Sequence, residues 1–181
     1  RAVAFPEAGL PCRLQRGPTP DGPSFKPSRI AVPVASATAG ANTNRVAASF
    51  DDDETTSWSN DNQLAEGWIS YQLARPATLS EITMKLSGWR QRSYPLRITV
   101  DDQEVYRGNT PRSLGYVTLP LKAVTGQRVR ISPISAASTR DGFNITELEN
   151  QQNAATGDER TGSGTLSMVE VEFYEPIEPK R

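Results

Sequence analysis

The sequence predicts an all-β protein, an antiparallel β-sandwich of jelly-roll type, and three observations lead there. Short apolar runs recur with a period of two, the spacing that puts one face of a strand against a core. Turn-forming pairs such as Asp101-Asp102 and Gly126-Gln127 separate the runs. No stretch carries a convincing helical period. Many short strands with turns between them indicate a sandwich rather than alternating helices and strands.

Residues 1–27 are rich in Pro and Gly, as in Gly9-Leu10-Pro11, Gly17-Pro18-Thr19-Pro20 and Gly22-Pro23. That composition blocks helix interiors and central strands alike. It reads as a linker or a strap from a preceding domain, with Val3, Phe5, Leu10 and Leu14 apolar enough to dock. The sandwich is expected over residues 28–175, with a tail at 176–181. Ile30, Val32 and Val34 alternate on one strand, which Pro33 marks as an edge. Ile69, Tyr71 and Leu73 form a second run, and Ile82, Met84 and Leu86 a third. Leu96, Ile98 and Val100 form a fourth, turning at Asp101-Asp102 into Glu104-Val105-Tyr106. Val117, Leu119 and Leu121 follow, then Val129 and Ile131. Val169, Val171 and Phe173 close the domain. Residues 135–164 break this rhythm as a long polar loop, a length that indicates a functional or disordered segment.

The densest chemistry lies at Ala48-Ser49-Phe50-Asp51-Asp52-Asp53-Glu54-Thr55-Thr56-Ser57-Trp58-Ser59-Asn60. A hard cation such as Ca²⁺ takes oxygens from carboxylates, carbonyls and hydroxyls. Asp51, Asp53 and Thr56 supply them within a few residues, and Trp58 offers a large apolar body to anchor the loop. A solvated acidic turn is the plain alternative. An EF-hand is excluded, because its Asp-x-Asp-x-Asp-Gly spacing and twelfth-position Glu are absent.

The order Asp51-x-Asp53-x-x-Thr56-x-Trp58 resembles the Asp-Gly-Asp-x-x-Thr-x-Trp signature of discoidin domains. These are also called coagulation factor five/eight type C domains, and they include the family 32 carbohydrate-binding modules. Asp52 stands where the family has glycine, and Asp tolerates the left-handed region better than most residues. The resemblance runs from about Ser28 to about Glu175. It implies a structural Ca²⁺ bound by Asp51, Asp53 and Thr56, with the Phe50 carbonyl nearby. It also implies a glutamate from the last strand, either Glu170 or its rival Glu172. Such an ion would staple the early loop to that strand.

Bulk composition narrows the function classes. The 181 residues suit one domain plus tails, and a net charge of -1 gives no basic field to argue for nucleic acid. No apolar run is long enough to span a bilayer as a helix. The single cysteine, Cys12, has no partner within the chain, and there is no histidine. That excludes Ser-His-Asp and Cys-His catalysis and the ordinary zinc sites. Paired carboxylates among Asp141, Glu147, Glu149 and the acidic loop leave glycoside hydrolysis as a formal possibility, weighed against solvated surface charges. Asn144-Ile145-Thr146 matches a glycosylation sequon. The chain begins with Arg1, as a piece of a longer protein would. Many secreted eukaryotic discoidin domains carry a disulfide joining their ends, so the resemblance leans toward a bacterial member.

Sugar recognition needs an aromatic platform and planar polar groups. Gly88-Trp89-Arg90-Gln91-Arg92-Ser93-Tyr94-Pro95 has that content between two strands. Trp89, Arg90, Gln91 and Arg92 are therefore candidate ligand residues, with packing of Trp89 against the sandwich as the alternative. Trp68 is out of phase with Ile69, Tyr71 and Leu73 and faces away from them; it and Asn62 complete the candidate set. Gly67-Trp68-Ile69-Ser70-Tyr71 and Trp89–Pro95 together look like modules appended to glycoside hydrolases, including family 2 β-galactosidase-like enzymes. The resemblance thus implies a non-catalytic glycan-binding module of a secreted, periplasmic or cell-surface bacterial enzyme, in contact with that enzyme's other domains. A structural or interaction domain without its own glycan site is the alternative.

Overall fold

In the computed structural model, residues 28–90, 92–140, 159–161 and 164–177 are described. Several expectations lie outside them: the 1–27 linker with Cys12, Gln91, the sequon, and Asp141, Glu147 and Glu149.

The strands are β1 (Arg29–Val32), β2 (Val34–Ala39), β3 (Trp58–Ser59), β4 (Ile69–Leu86), β5 (Arg92–Ser93), β6 (Pro95–Val100), β7 (Gln103–Asn109), β8 (Val117–Pro133), β9 (Ser138–Arg140), β10 (Glu159–Thr161) and β11 (Ser167–Pro176). Two short 3-10 turns, Thr43–Ser49 and Leu64–Glu66, lie in the long β2–β4 connection. All described pairings are antiparallel. The main sheet runs β1-β11-β4-β8-β6-β7, with β2 beside β4 and β3 beside β11.

Two long strands, β4 and β8, build the sandwich. The first half of β4 pairs with β2 and with the second half of β8, whereas its second half pairs with β11 and with the first half of β8. The ladder between them breaks from Gln72 to Ala77. Four runs expected as separate strands are therefore two strands that change neighbours at mid-length. Pro76 lies within that break and Gly126 pairs with Ala77 at its end, so Gly126-Gln127 is strand rather than turn. Gly126 is required by close approach: a Cβ there would lie 2.4 Å from Val100 Cγ1 and 2.6 Å from Asp101 Oδ2. Asp101 and Asp102 both take positive φ, 45° and 69°, and join β6 to β7 through a two-residue turn of the type that matches hairpin twist.

One expected strand is in fact two. Pro33 separates β1, which pairs with β11, from β2, which pairs with β4. Pro33 has no N–H to donate, but its carbonyl accepts the Ala74 N–H at 2.8 Å. Ile30 consequently stays half exposed while Val32 is buried. The 135–164 segment is also not purely loop, because β9 and β10 pair with each other and β9 pairs with β5.

The inward residues follow the expected period. Ile69, Tyr71, Leu73, Ile82, Met84, Leu96, Ile98, Val129 and Ile131 are fully buried in one cluster, and Phe173 joins them. Tyr71 sits at its centre, with Phe50 edge-on at 6.0 Å and Phe173 tilted at 5.3 Å. Its hydroxyl meets the buried Ser49 hydroxyl at 3.0 Å. Loops adjoining the ends of β4, β7 and β11 are linked by backbone bonds. Ser87 N–H donates to Ser167 O, and Ser113 N–H donates to Trp89 O.

Candidate functional site

The acidic loop folds back on itself and onto the last strand. Asp52 adopts φ 60°, the left-handed conformation for which its glycine-like place in the motif calls. The Thr56 hydroxyl donates to Asp51 at 2.9 Å and lies 3.2 Å from the Asp53 carbonyl. The Asp53 carboxylate instead accepts the Thr55 N–H at 2.9 Å and the Thr55 hydroxyl at 2.6 Å, which hold its carboxyl below the usual range. Asp53 therefore meets Thr56 through its backbone carbonyl and Asp51 through its backbone N–H, with its carboxylate turned to Thr55.

Glu170 ties this loop to β11 by accepting the Asp52 N–H at 2.9 Å. A bulge at Val169 lets Met168 and Val171 both face inward and sets Glu170 opposite Lys85, which pairs with Glu54 of the same loop. Glu170 is only 3% exposed, and its Oε2 is buried without a partner. Burial raises its carboxyl above the ordinary range, and the negative charges of Asp51, Asp52 and Glu172 add to that. Glu172, the rival, accepts the Tyr174 hydroxyl at 2.5 Å. The oxygen types around the loop suit a hard cation: a carboxylate, a carbonyl, a hydroxyl and the bare Glu170 oxygen. Among the described residues no three acidic, His or Cys side chains gather as a cluster, so an ion here depends on the carbonyl and hydroxyl oxygens too.

Trp58 is wholly buried and donates its indole N–H to Ala41 O at 2.8 Å, the anchoring role expected of it. Asn60 is equally buried. Its amide nitrogen donates to Gln63 O and Gly164 O, and its oxygen accepts the Leu166 N–H at 2.7 Å. It holds two loops together rather than meeting a ligand. Asn62 takes φ 66° on the exposed side of that turn.

The expected platform at Trp89 is corrected by the structure. Trp89 is 2% exposed and belongs to the core cluster, so no ring face is open to a sugar. The physical reason is local. The Ser113 N–H of the 110–116 loop donates to the Trp89 carbonyl, Tyr94 joins the same core cluster, and the Tyr94 hydroxyl donates to Ser87 O at 2.8 Å. Arg92 lies in β5 next to Gly88 and Tyr94, and Arg90 is exposed.

Trp68 does face away from the core. It borders an open cavity of about 540 Å³ together with Leu64, Arg97, Arg130, Ser132 and Ile134. Register explains the grouping. Ile69 pairs with Ile131 and Arg97 with Ser132, so Trp68, Ser132 and Arg97 lie side by side on the outer face of β4, β8 and β6. The Arg130 guanidinium lies 3.9 Å from the Trp68 ring centroid. Gly40 closes the indole edge: a Cβ there would sit 2.6 Å from Trp68 Nε1. The cavity offers an aromatic edge, two planar cations and a hydroxyl inside an apolar rim, a composition suited to a small polar ligand with C–H faces. Arg97, Arg130 and Ser132 were not among the sequence candidates. Their signal is the outward phase of residues 97, 130 and 132, and strand register is needed to bring them together.

The model of the F5/8 type C domain matches residues 34–148. No curated protein matches the chain. Among solved structures it is similar to truncated AlyQ with CBM32 and alginate lyase domains, at 16% identity and TM-score 0.62, covering 83% of this chain and 34% of that one. This chain therefore spans about a third of that relative's length. It is also similar to the CBM32 of AlyQ in complex with 4,5-unsaturated mannuronic acid, at 16% identity and TM-score 0.59, covering 80% and 97%. The family 32 CBM of C. perfringens NanJ in complex with galactose matches at 14% identity and TM-score 0.55, covering 81% and 99%. At these identities the likeness is one of fold. The family match covers more than half of the chain and includes the Asp51–Trp58 loop. The chain belongs to the F5/8 type C domain family.

Proposed function

We propose that this chain is a non-catalytic carbohydrate-binding module of a carbohydrate-active enzyme, and that its glycan site is the cavity beside Trp68. The observation that carries this reading is the convergence of Trp68, Arg97, Arg130 and Ser132 on one open cavity. Galactose and an unsaturated mannuronic acid are bound by two modules of the same fold, which supports a sugar as the ligand class. Binding near a polysaccharide surface would raise the local concentration of an attached catalytic domain. Such a role suits a secreted, periplasmic or cell-surface enzyme. Among the described residues no helix is long and apolar enough to cross a membrane.

The acidic loop serves this module as a structural Ca²⁺ site. Asp51, the Asp53 carbonyl, Thr56 and Glu170 would hold the ion, and its charge would neutralise the buried Glu170 carboxylate. A screen of the chain against immobilised glycans, followed by calorimetric titration of each hit with wild type and Trp68→Ala, tests the reading. Weak binding that Trp68→Ala removes is expected; hits unaffected by that change place the site elsewhere.

A second reading, a packing domain inside a larger protein, is favoured by one observation. Leu114 is 77% exposed and Tyr116 41% exposed in the loop that bonds to the Trp89 carbonyl. Absence of any glycan hit would make this second reading the better one.

A further inference from the structure

Four arginines share the outer face of the sheet that carries the Trp68 cavity, and they are not treated alike. Arg97 pairs in register with Arg107 and Ser132, while Arg128 and Arg130 alternate with buried residues on β8. The inward neighbours Leu96, Ile98, Val129 and Ile131 are fully buried, which fixes Arg97, Arg128 and Arg130 as outward, and Arg107, exposed and paired with Arg97, shares their face. The two away from the cavity have acid partners. Arg107 makes a two-point bond to Glu104, at 3.0 and 2.8 Å, and Arg128 pairs with Asp102. Arg97 and Arg130, which border the cavity, pair with no carboxylate among the described residues. Glu104 feels the charge of Arg97, but both its oxygens are engaged by Arg107.

This pattern works against folding economy. Arg97 directly opposite Arg107 sets like charges across a strand pair, an arrangement that destabilises a sheet. Arg130 is held by the face of Trp68, which positions a guanidinium without neutralising it. Its contact with the Ser132 hydroxyl is 3.5 Å, too long to consume a donor. Among the described residues, two positioned cations in one cavity therefore lack the anion that would complete them.

We infer that the Trp68 cavity takes a sugar bearing a carboxylate, a uronic-acid residue, with Arg97 and Arg130 as the pair that receives its charge. This rests on the glycan-binding reading and names the substrate class of that site. A planar carboxylate matches the guanidinium fork in two-point geometry. The C–H face of the ring meets the rim formed by Leu64, Pro133 and Ile134. The volume, about 540 Å³, falls within the range of small-ligand sites. A neutral sugar fills the same space and leaves both cations uncompensated.

The test is calorimetric titration of this chain with uronate oligosaccharides, their methyl esters, neutral galactose oligosaccharides and a sulfated galactoside. The methyl ester keeps the ring and erases the charge. The acid form is expected to bind at least about tenfold more tightly than its ester at low salt, and to lose most of that advantage at about 0.5 M salt. Arg97→Gln, an exposed change that also removes the like charge opposite Arg107, should bring the acid down to the ester's affinity with a melting temperature no lower than wild type. Arg130→Gln should do the same, with melting as its control. Equal binding of acid and ester overturns the inference and leaves the glycan reading standing. A preference for the sulfated sugar over the uronate overturns the carboxylate assignment. Failure of every sugar to bind overturns both the inference and the glycan reading.

Discussion

The Arg130 guanidinium lies over the Trp68 ring, 3.9 Å from its centroid, and this stack ties an aromatic residue of the β2–β4 connection to the outer face of β8. Arg130 buries one part of Trp68 and borrows its orientation from it. Removing either partner therefore disturbs the other. Trp68→Ala should release Arg130 and abolish glycan binding while lowering stability less than loss of a fully buried indole does. Chemical denaturation alongside titration checks both halves.

Trp58 and Trp89 should behave alike despite their different expected roles. Both are buried, at 0% and 2% exposure, so each Trp→Ala is expected to cost roughly 3–5 kcal/mol. Urea midpoints of the two variants measure this. A negligible loss at Trp89 would contradict its place in the core.

Calcium should raise the melting temperature, with linkage giving about 2.7 kcal/mol at a hundredfold excess over the dissociation constant. Asp51→Ala should remove the rise. Glu170→Gln is the sharper variant, because it keeps an acceptor for the Asp52 N–H and deletes the buried charge. In chelator it should be no less stable than wild type, and calcium should add nothing. An identical melt of wild type with chelator and with calcium would rule the ion out.

Asn60→Ala should loosen the 59–63 turn from the 164–166 segment. It leaves the buried Leu166 N–H without its acceptor and removes the side-chain donor to Gly164 O, while Gln63 O keeps the Glu66 N–H, at about 1–3 kcal/mol. Thermal unfolding measures the loss, and faster amide exchange at Leu166 locates it.

Acid should weaken the fold through its exposed ion pairs. Lys85, Arg107 and Arg75 hold Glu54, Glu104 and Glu175 below the ordinary value of 4.5. Folded values below the unfolded one mean that this stability is present above about pH 4.5 and is lost as pH falls through the folded values. The pairs are exposed, so the effect is small and salt weakens it further. Urea midpoints between about pH 5 and about pH 3, with and without added salt, should show the decline and its screening.

Most of the core was legible because side-chain alternation in a half-buried strand is imposed by the pleat. Ile69-x-Tyr71-x-Leu73 and Leu96-x-Ile98-x-Val100 turned inward as read. Continuity was not legible. Gly126-Gln127 looks like a turn, and only pairing partners reveal that β8 runs through it beside an equally continuous β4. The acidic loop was legible in its residues, since Asp52 takes the left-handed conformation and Glu170, not Glu172, meets the loop. Trp89 misled because an aromatic residue followed by arginines looks alike in sequence whether it joins the core or not. Arg97 and Arg130 look like ordinary strand polar residues. Their meaning depends on which arginines lack acids across the sheet, and that is a property of register.

The most direct measurement is a heteronuclear NMR titration of the labelled chain with a hit oligosaccharide. Shifts are expected to concentrate at the Trp68 indole N–H and at the backbone of Arg97, Arg130 and Ser132, while the Trp89 indole signal stays in place. Shifts confined to the Trp89 and Leu114 loops, with the Trp68 signal unmoved at saturation, would contradict the Trp68 site.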